Sequence, residues 1–285
     1  MPIVTVTGDW NGSAYYLPVL KGKIYSLSAA AGAGHLSPQD VVIETISDTI
    51  EPFNIVQGCF VLKNSFRAFP KGTIHLMAVE SEPAEGVDMV AVQYAGHWIV
   101  APNDGRFSLL IEPAAMEKGE AVAYRIPLPD EFSTFLSSTL FAEAVWNITA
   151  GTFASRWQVC GLRSVAGGMP SVLDDRIVGK VVYVDSYGNA ITNISRETFA
   201  RGYFRWRSGH EDDPAFRIYV GGPHTVLETI CNSYTDVESG EELALFNSAG
   251  LLELALRNGN FCGVESVATN CEIMIKFYDN EKGED

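Results

Sequence analysis

The sequence predicts a two-part chain: an N-terminal α/β domain with a mostly parallel, Rossmann-like sheet, then an all-β, barrel-like C-terminal domain. Three observations carry this expectation. Strand-like runs alternate with helical periodicity over the first 150 residues or so. A stretch rich in Gly, Ser and charge, 161–180 (GLRSVAGGMPSVLDDRIVGK), then interrupts the pattern. Beyond it short β-like runs follow one another between turns. The chain has 285 residues, 47% hydrophobic and 19% charged, enough to build two real cores. The expected division is 1–157, a linker 158–177, and 178–285.

Taken in order, residues 3–7 form a short strand that empties into Gly8, Asp9, Trp10, Asn11, Gly12 and Ser13. Residues 15–31 read as a helix, with Tyr16, Val19, Leu20, Ile24 and Leu27 at helical spacing and Pro18 in its first turn. A strand, a polar loop and a helix make a βα unit, whose ligands gather at the strand's C-terminal end. No GxGxxG follows the strand, so dinucleotide binding has no direct support. Residues 41–46 are a second strand. Residues 54–66 are a second helix, burying Ile55, Cys59, Leu62 and Phe66 and tolerating Gly58 at some cost. A third strand spans 73–79, and a hairpin is expected from 87–94 and 97–101 around Ala95 and Gly96. Residues 107–111 are too short to assign, and 132–149 read as a helix. In the second half, 181–194, 216–220, 225–227, 242–247, 251–256 and 271–278 are the β-like runs, and the charged tail 279–285 is expected to fray.

A net charge of −15 argues against a nucleic-acid partner and against an anionic membrane surface. A small zwitterionic or cationic ligand is acceptable. The five cysteines, Cys59, Cys160, Cys231, Cys262 and Cys271, show no CxxC spacing and read as small buried hydrophobes. The five histidines, His35, His75, His97, His210 and His224, show no metal-ligand spacing, so no metal is expected. The acidic run Glu211, Asp212, Asp213 lacks EF-hand spacing and reads as a solvated turn. No uncharged apolar stretch reaches about 20 residues, and no basic region with an apolar run opens the chain, so the expected location is the cytoplasm.

The most informative stretch is 181–195 (VVYVDSYGNAITNIS). It opens as a β-branched strand, breaks at a polar turn, and resumes as a strand. Within five residues the turn offers a carboxylate (Asp185), an aromatic face (Tyr187) and an amide (Asn189). An amide reads the edge of a base, an aromatic stacks on its face, and a carboxylate takes an ammonium or a pair of hydroxyls. That set suits a ligand that is part nucleoside, part amino acid. The competing reading is an Asx-stabilised hairpin with Tyr187 covering core.

This stretch resembles the motif of the S-adenosylmethionine hydroxide adenosyltransferase family, relatives of the fluorinases and chlorinases. That motif reads as a valine-rich strand, Asp-x-Phe-Gly-Asn, and an Ile-Thr-Asn run. Segments 5–22, 51–75, 101–109 and 247–259 are similar to further family segments in the family's order, with Pro102, Asn103, Asp104 and Gly105 where Pro-Asp-Asn-Gly is more usual. The resemblance implies S-adenosylmethionine as substrate, hydrolysed to adenosine and methionine, in a homotrimer with ligand sites between subunits. It implies that Asp9 accepts both ribose hydroxyls and that Phe53 walls the ribose. Asp185 would take the methionine ammonium, Tyr187 would stack near the adenine and Asn189 would bond its edge. Asn247 and Ser248 match a carboxylate-binding motif, and Asn258 with Gly259 matches a stretch whose backbone meets the adenine.

The chain departs from the family at several places. Ala14 and Ala249 replace an Asp and an aromatic or Arg. The water-activating Asp, Arg and His of the family find no match. Glu80 stands where the Asp would follow the third strand, no Arg lies between Arg67 and Arg106, and the pattern Thr-Phe-His-Gly-Arg-Asp is read at Thr139, Leu140, Phe141, Ala142, Glu143 and Ala144. Glu80 is therefore the candidate base, and a non-catalytic nucleoside binder is the alternative to a hydrolase.

Overall fold

The structure, a computed structural model, describes residues 2–30, 41–129, 133–165, 168–210, 212–222 and 225–279. Ala31 and Phe132 at predicted helix ends, His35, His224, Ala166 and Gly167 of the expected linker, Glu211 and the tail 280–285 lie outside the described residues. The chain divides into two compact units, residues 1–165 and 166–285.

In the first unit β1 (Ile3–Gly8) leads through a loop to α1 (Tyr16–Ala30), and β2 (Val42–Ser47) leads to α2 (Ile55–Ser65). Then follow β3 (Ile74–Ala78), β4 (Met89–Tyr94), β5 (His97–Pro102), α3 (Phe107–Leu110), α4 (Pro113–Glu117), β6 (Val122–Ile126), α5 (Leu136–Thr149), α6 (Phe153–Arg156) and β7 (Gln158–Cys160). The strands form one sheet in the order β2-β1-β3-β5-β4-β6-β7. The pairings β1–β2, β1–β3 and β3–β5 are parallel, whereas β4–β5, β4–β6 and β6–β7 are antiparallel. The sheet is thus mixed, not mostly parallel as expected. The cause is the β4–β5 hairpin, whose turn residues Ala95 and Gly96 both take positive φ (52° and 83°), the twist that two-residue hairpins favour. β5 joins the parallel set, and the strands beyond it pair antiparallel.

Side chains alternate across this sheet. Val4, Val6, Ile74 and Leu76 pack with Leu20, Ile24, Leu140 and Trp146 of α1 and α5. Met77, Val79, Val90, Val92 and Ile99 pack with Cys59, Leu62, Phe107 and Leu110 of α2 and α3. Gly58 has a packing reason: a Cβ there would lie 2.8 Å from Met77 Cε and from Val79 Cγ2, so only glycine lets α2 press onto β3. From β1 the chain goes to β2 on one side and then crosses to β3 on the other. This is a topological switch point, and in open α/β sheets ligands bind at such a place, here the carboxyl ends of β1 and β3.

The second unit comprises β8 (Ser171–Val172), β9 (Arg176–Val184), β10 (Ala190–Ser195), α7 (Arg196–Arg207), β11 (Ala215–Val220), β12 (Thr225–Leu227), β13 (Ile230–Cys231), β14 (Glu242–Phe246), β15 (Leu251–Leu256), α8 (Phe261–Glu265) and β16 (Glu272–Tyr278). Its nine-stranded sheet runs β12-β11-β16-β9-β10-β15-β14-β13, with β8 also on β9. It curls as a half-barrel over a core that includes Val181, Ile194, Ile218, Leu254, Phe261, Ile275 and Phe277. β9 serves two ladders: 176–180 pair with β16 and 181–184 with β10. Where the register shifts, Asn193 of the Ile-Thr-Asn run accepts the Lys180 N–H at 2.8 Å and donates to Gly168 O at 3.2 Å. Sequence reading missed α7. Ser195 caps it by accepting the Thr198 N–H, and Phe199, Tyr203 and Trp206 turn one face to the core beneath four arginines. Among the described residues no helix is long and apolar enough to cross a membrane.

Candidate functional site

Three of the sequence-predicted residues meet at the carboxyl ends of β1 and β3. Asp9 directly follows β1, Phe53 lies in the turn before α2, and Glu80 follows β3. The Oδ2 of Asp9 accepts the Phe53 N–H at 2.9 Å and the Glu80 N–H at 3.3 Å. Both donors sit in the left-handed region, Phe53 at φ 64° and Glu80 at φ 43°. A non-glycine residue there costs roughly 1–2 kcal/mol, and such strain gathers at ligand clamps. The turn before α2 is braced to hold it: Glu51 N–H donates to Gln57 Oε1 (2.8 Å), Asn54 Nδ2 donates to Glu51 Oε2 (3.0 Å), and Asn54 Oδ1 caps the helix at Gln57 N–H. The Phe53 ring itself is 72% exposed, so it contributes little to the core. An aromatic cluster follows Asp9: Trp10 and Tyr16 each meet Phe135 edge-on, at 5.4 and 5.2 Å.

Beneath Glu80 lies a residue that the sequence reading missed. Arg106, only 2% exposed, donates from Nη1 to Val79 O (2.7 Å) and from Nη2 to Glu80 O (3.1 Å). Asp104 clamps the same guanidinium at Nε (2.9 Å) and Nη2 (2.6 Å). Burial pushes the Asp104 carboxyl up, but the hydrogen bonds and charge of Arg106 outweigh it and hold the group below the usual carboxylate range.

In the second unit the turn between β9 and β10 is built by Asp185. Its Oδ1 accepts the N–H groups of Tyr187 and Asn189 at 2.9 Å each, and its Oδ2 accepts Asn189 Nδ2 at 3.0 Å. The Asx-turn reading is therefore correct for the backbone, yet Tyr187 does not cover core: its ring is 76% exposed. A carboxylate offers about four lone-pair positions, so one remains free on Oδ2. Asn189 is buried, and among the described residues its Oδ1 and one side-chain N–H find no partner. Gly188 has φ 81° and lies so close to Asn260 that a Cβ would stand 2.1 Å from its Oδ1.

Asn247 spends its amide inside its own turn, accepting the Ala249 and Leu251 N–H groups (3.0 and 3.2 Å) and donating to Glu253 Oε2 (3.0 Å). Ser248 rides exposed on that turn. Glu253 is 3% exposed and also accepts the Tyr234 hydroxyl. Burial, then the hydrogen bond and charge of Glu253, push that hydroxyl well above the usual tyrosine range, and Asp185 adds to the effect. Asn258 is apart from these groups in its bonding: it sits at φ 58° and donates to Ser239 Oγ at 3.2 Å. Among the described residues no group of three or more His, Cys, Asp or Glu is placed to hold a metal ion.

The family model of the SAM hydroxide adenosyltransferase N-terminal domain matches residues 4–157, and that of its C-terminal domain matches 179–274. The chain belongs to the SAM hydroxide adenosyltransferase family. It is 24% identical over 258 residues to a protein of Methanocaldococcus jannaschii named (R)-S-adenosyl-L-methionine hydrolase, covering 90% of this chain and 88% of that one. A protein of the same name from Thermus thermophilus is 24% identical over 236 residues, covering 79% and 83%. The fold matches the crystal structure of an uncharacterized conserved protein from Thermotoga maritima with a TM-score of 0.74 at 24% identity, over 96% of this chain and 99% of that one. It also matches a conserved hypothetical protein from Thermus thermophilus with a TM-score of 0.68 at 18% identity, over 98% and 100%.

In this member of the SAM hydroxide adenosyltransferase family, the Thr-Phe-His-Gly-Arg-Asp pattern cannot lie where it was read. Phe141 and Ala142 are fully buried in the core of the first unit. The pattern's opening Thr-Phe, matched only in its first residue by Thr139 and Leu140, occurs in full at Thr134 and Phe135, five residues earlier, and this register puts it at the start of α5. There Glu82, from the loop after β3, accepts the Leu136 N–H (2.9 Å), the Ser137 N–H (3.3 Å) and the Ser137 hydroxyl. Lys23 of α1 donates to Ser138 Oγ (2.7 Å) and Thr139 Oγ1 (2.8 Å). In either register the His and Arg are absent. The complete Thr-Phe pair at 134–135, against Thr-Leu at 139–140, was the signal that could have fixed the register.

Proposed function

We propose that the protein binds S-adenosylmethionine and hydrolyses it to adenosine and methionine, the activity carried in the names of its relatives from Methanocaldococcus jannaschii and Thermus thermophilus. One observation carries the reading. Asp9 is latched through Oδ2 to two amides, which leaves Oδ1 to accept from the vicinal hydroxyls of a ribose. Phe53, exposed beside it, walls the sugar. Tyr187 offers a stacking face, Asn189 its free oxygen and N–H to the adenine edge, and Asp185 its remaining lone pair to the ammonium. Asn247 acts by shaping the turn that presents Ser248 to the carboxylate, and Asn258 by the bend that brings its backbone to the adenine. As part of the same proposal, the protein is cytoplasmic and homotrimeric, with ligand sites shared between subunits; a mass in solution equal to one chain overturns the assembly.

In the reaction, water attacks C5′ opposite the sulfur. The C5′–S bond breaks, its electron pair stays on the methionine sulfur, and the water proton passes to a base. The sulfonium is a good leaving group, so the protein's task is to hold the water in line and exclude competitors. Glu80 is the candidate base. Incubation with S-adenosylmethionine and chromatography for adenosine and methionine tests this, and no release at high protein concentration overturns hydrolysis. Glu80→Gln should lower kcat by about 10²–10⁴-fold with KM little changed.

The missing His and Arg favour a second reading, a nucleoside binder without turnover, since Leu136 and Ser138 cannot carry a proton or a charge at those positions. Calorimetry showing adenosine binding in the absence of product formation selects it.

A further inference from the structure

The carboxyl end of β3 is held in a conformation that its own sequence does not favour. Residue 80 is a glutamate at φ 43°, and its N–H points to Asp9. Neither flanking residue is a glycine. Something outside the strand must hold the peptide, and the Arg106 guanidinium does so from the start of α3, in the turn after β5. Its two terminal nitrogens take the consecutive carbonyls of Val79 and Glu80. Asp104 fixes the other edge of the fork, and also accepts the Arg106 backbone N–H at 3.1 Å. The Arg106 carbonyl in turn accepts the thiol of Cys59, a buried residue of α2. The guanidinium side chain is 0% exposed, so it reaches no ligand.

We propose that Arg106, clamped by Asp104, is a positioning residue for the Asp9 site. It holds the Val79 and Glu80 carbonyls so that residue 80 turns left-handed, its N–H meets Asp9 Oδ2, and Asp9 Oδ1 is aimed outward. The consequence for binding rests on the adenosyl-ligand reading, whereas the brace itself does not. A lysine cannot replace the arginine here, because a point charge cannot bridge two carbonyls and both oxygens of a carboxylate at once.

The test uses the full chain and two readouts. In Arg106→Lys, site-resolved amide exchange by NMR should show the Glu80 N–H exchanging about tenfold faster or more, with the Leu76 N–H in mid-strand unchanged. Calorimetry with adenosine should show the dissociation constant rising about tenfold. Glycine reaches φ 43° unaided, so in a Glu80→Gly background the added Arg106→Lys change should leave adenosine affinity nearly unaltered. An unchanged Glu80 exchange rate, or an equal loss of affinity in both backgrounds, overturns the brace. If the unaltered protein binds no adenosine, the functional reading fails, and the exchange rates alone still decide for or against Arg106. If Arg106→Lys does not fold, Asp104→Asn keeps the guanidinium in place while loosening its clamp; faster Glu80 exchange supports the proposal and an unchanged rate overturns it.

Discussion

Asp9 is a carboxylate with two duties, one toward the fold and one toward the ligand. Replacing it by Asn keeps an oxygen to accept the Phe53 and Glu80 amides but removes the charge. Hydrogen bonds to a charged group contribute about 1.5–3 kcal/mol, and here two of them are proposed toward a ribose. Asp9→Asn should therefore weaken adenosine binding by roughly 100-fold, measured by calorimetry, with only a small shift in the unfolding midpoint. An unchanged dissociation constant removes Asp9 from the ligand. At this scale the sequence was informative about identities and silent about geometry. Asp9, Phe53 and Glu80 could each be named from position along the chain, but nothing in the letters says that Phe53 and Glu80 turn left-handed to aim their amides at one oxygen. Arg106 was invisible for a similar reason: its partners are main-chain carbonyls, which every residue carries.

At the scale of the element, the turns carry the information. Phe53 is strained in its backbone and exposed in its side chain, so the fold gains nothing from the ring. Phe53→Gly should stabilise the first unit by about 1 kcal/mol in urea unfolding while weakening adenosine binding, a stability–function trade. A loss of stability instead would mean that the ring supports the core. In the turn between β9 and β10, Gly188→Ala forces a methyl into Asn260 at a positive φ. That variant should lose about 2 kcal/mol or more of stability in the second unit and displace Tyr187, read as a changed tyrosine spectrum and lost adenosine binding. Most strands and α1, α2 and α5 were legible because their apolar period is plain, whereas β6, the short β7, β8 and β13, and the first half of β9, which fell in the stretch read as a linker, were not. α7 was not: RETFARGYFRWR hides three core-facing aromatics among four arginines, and its charge outweighs its periodicity to the eye. The mixed sheet was missed because the hairpin turn was recognised without its effect on strand direction.

For the whole molecule, pH is the lever. Thr5, His75 and His97 form a buried chain across β1, β3 and β5, with Thr5 Oγ1 2.7 Å from His75 Nδ1 and His75 Nε2 3.2 Å from His97 Nδ1. Burial, reinforced by the neighbouring histidine, holds His75 down at about 3. Burial, with Arg67 and Lys71 nearby, lowers His97 as well. An unfolded histidine titrates near 6.5, so below that pH the unfolded chain binds protons that the folded chain refuses. The stabilisation from His75 is complete above about pH 6.5 and is lost as the pH falls toward 3, with a slope of up to about 1.4 kcal/mol per pH unit, and His97 adds to it in the same direction. Urea midpoints should fall from pH 7 to pH 5, and His75→Gln should flatten that dependence. A midpoint that stays level over this range contradicts the buried neutral pair.

The separation of duties at residue 53 reaches further than its own chemistry. The scaffold uses only the main chain there, as a fixed hinge-pin for Asp9, and leaves the ring as an interchangeable fingertip. Descendants of this chain could therefore trade phenylalanine for another group and alter what they hold, with the surrounding architecture left intact.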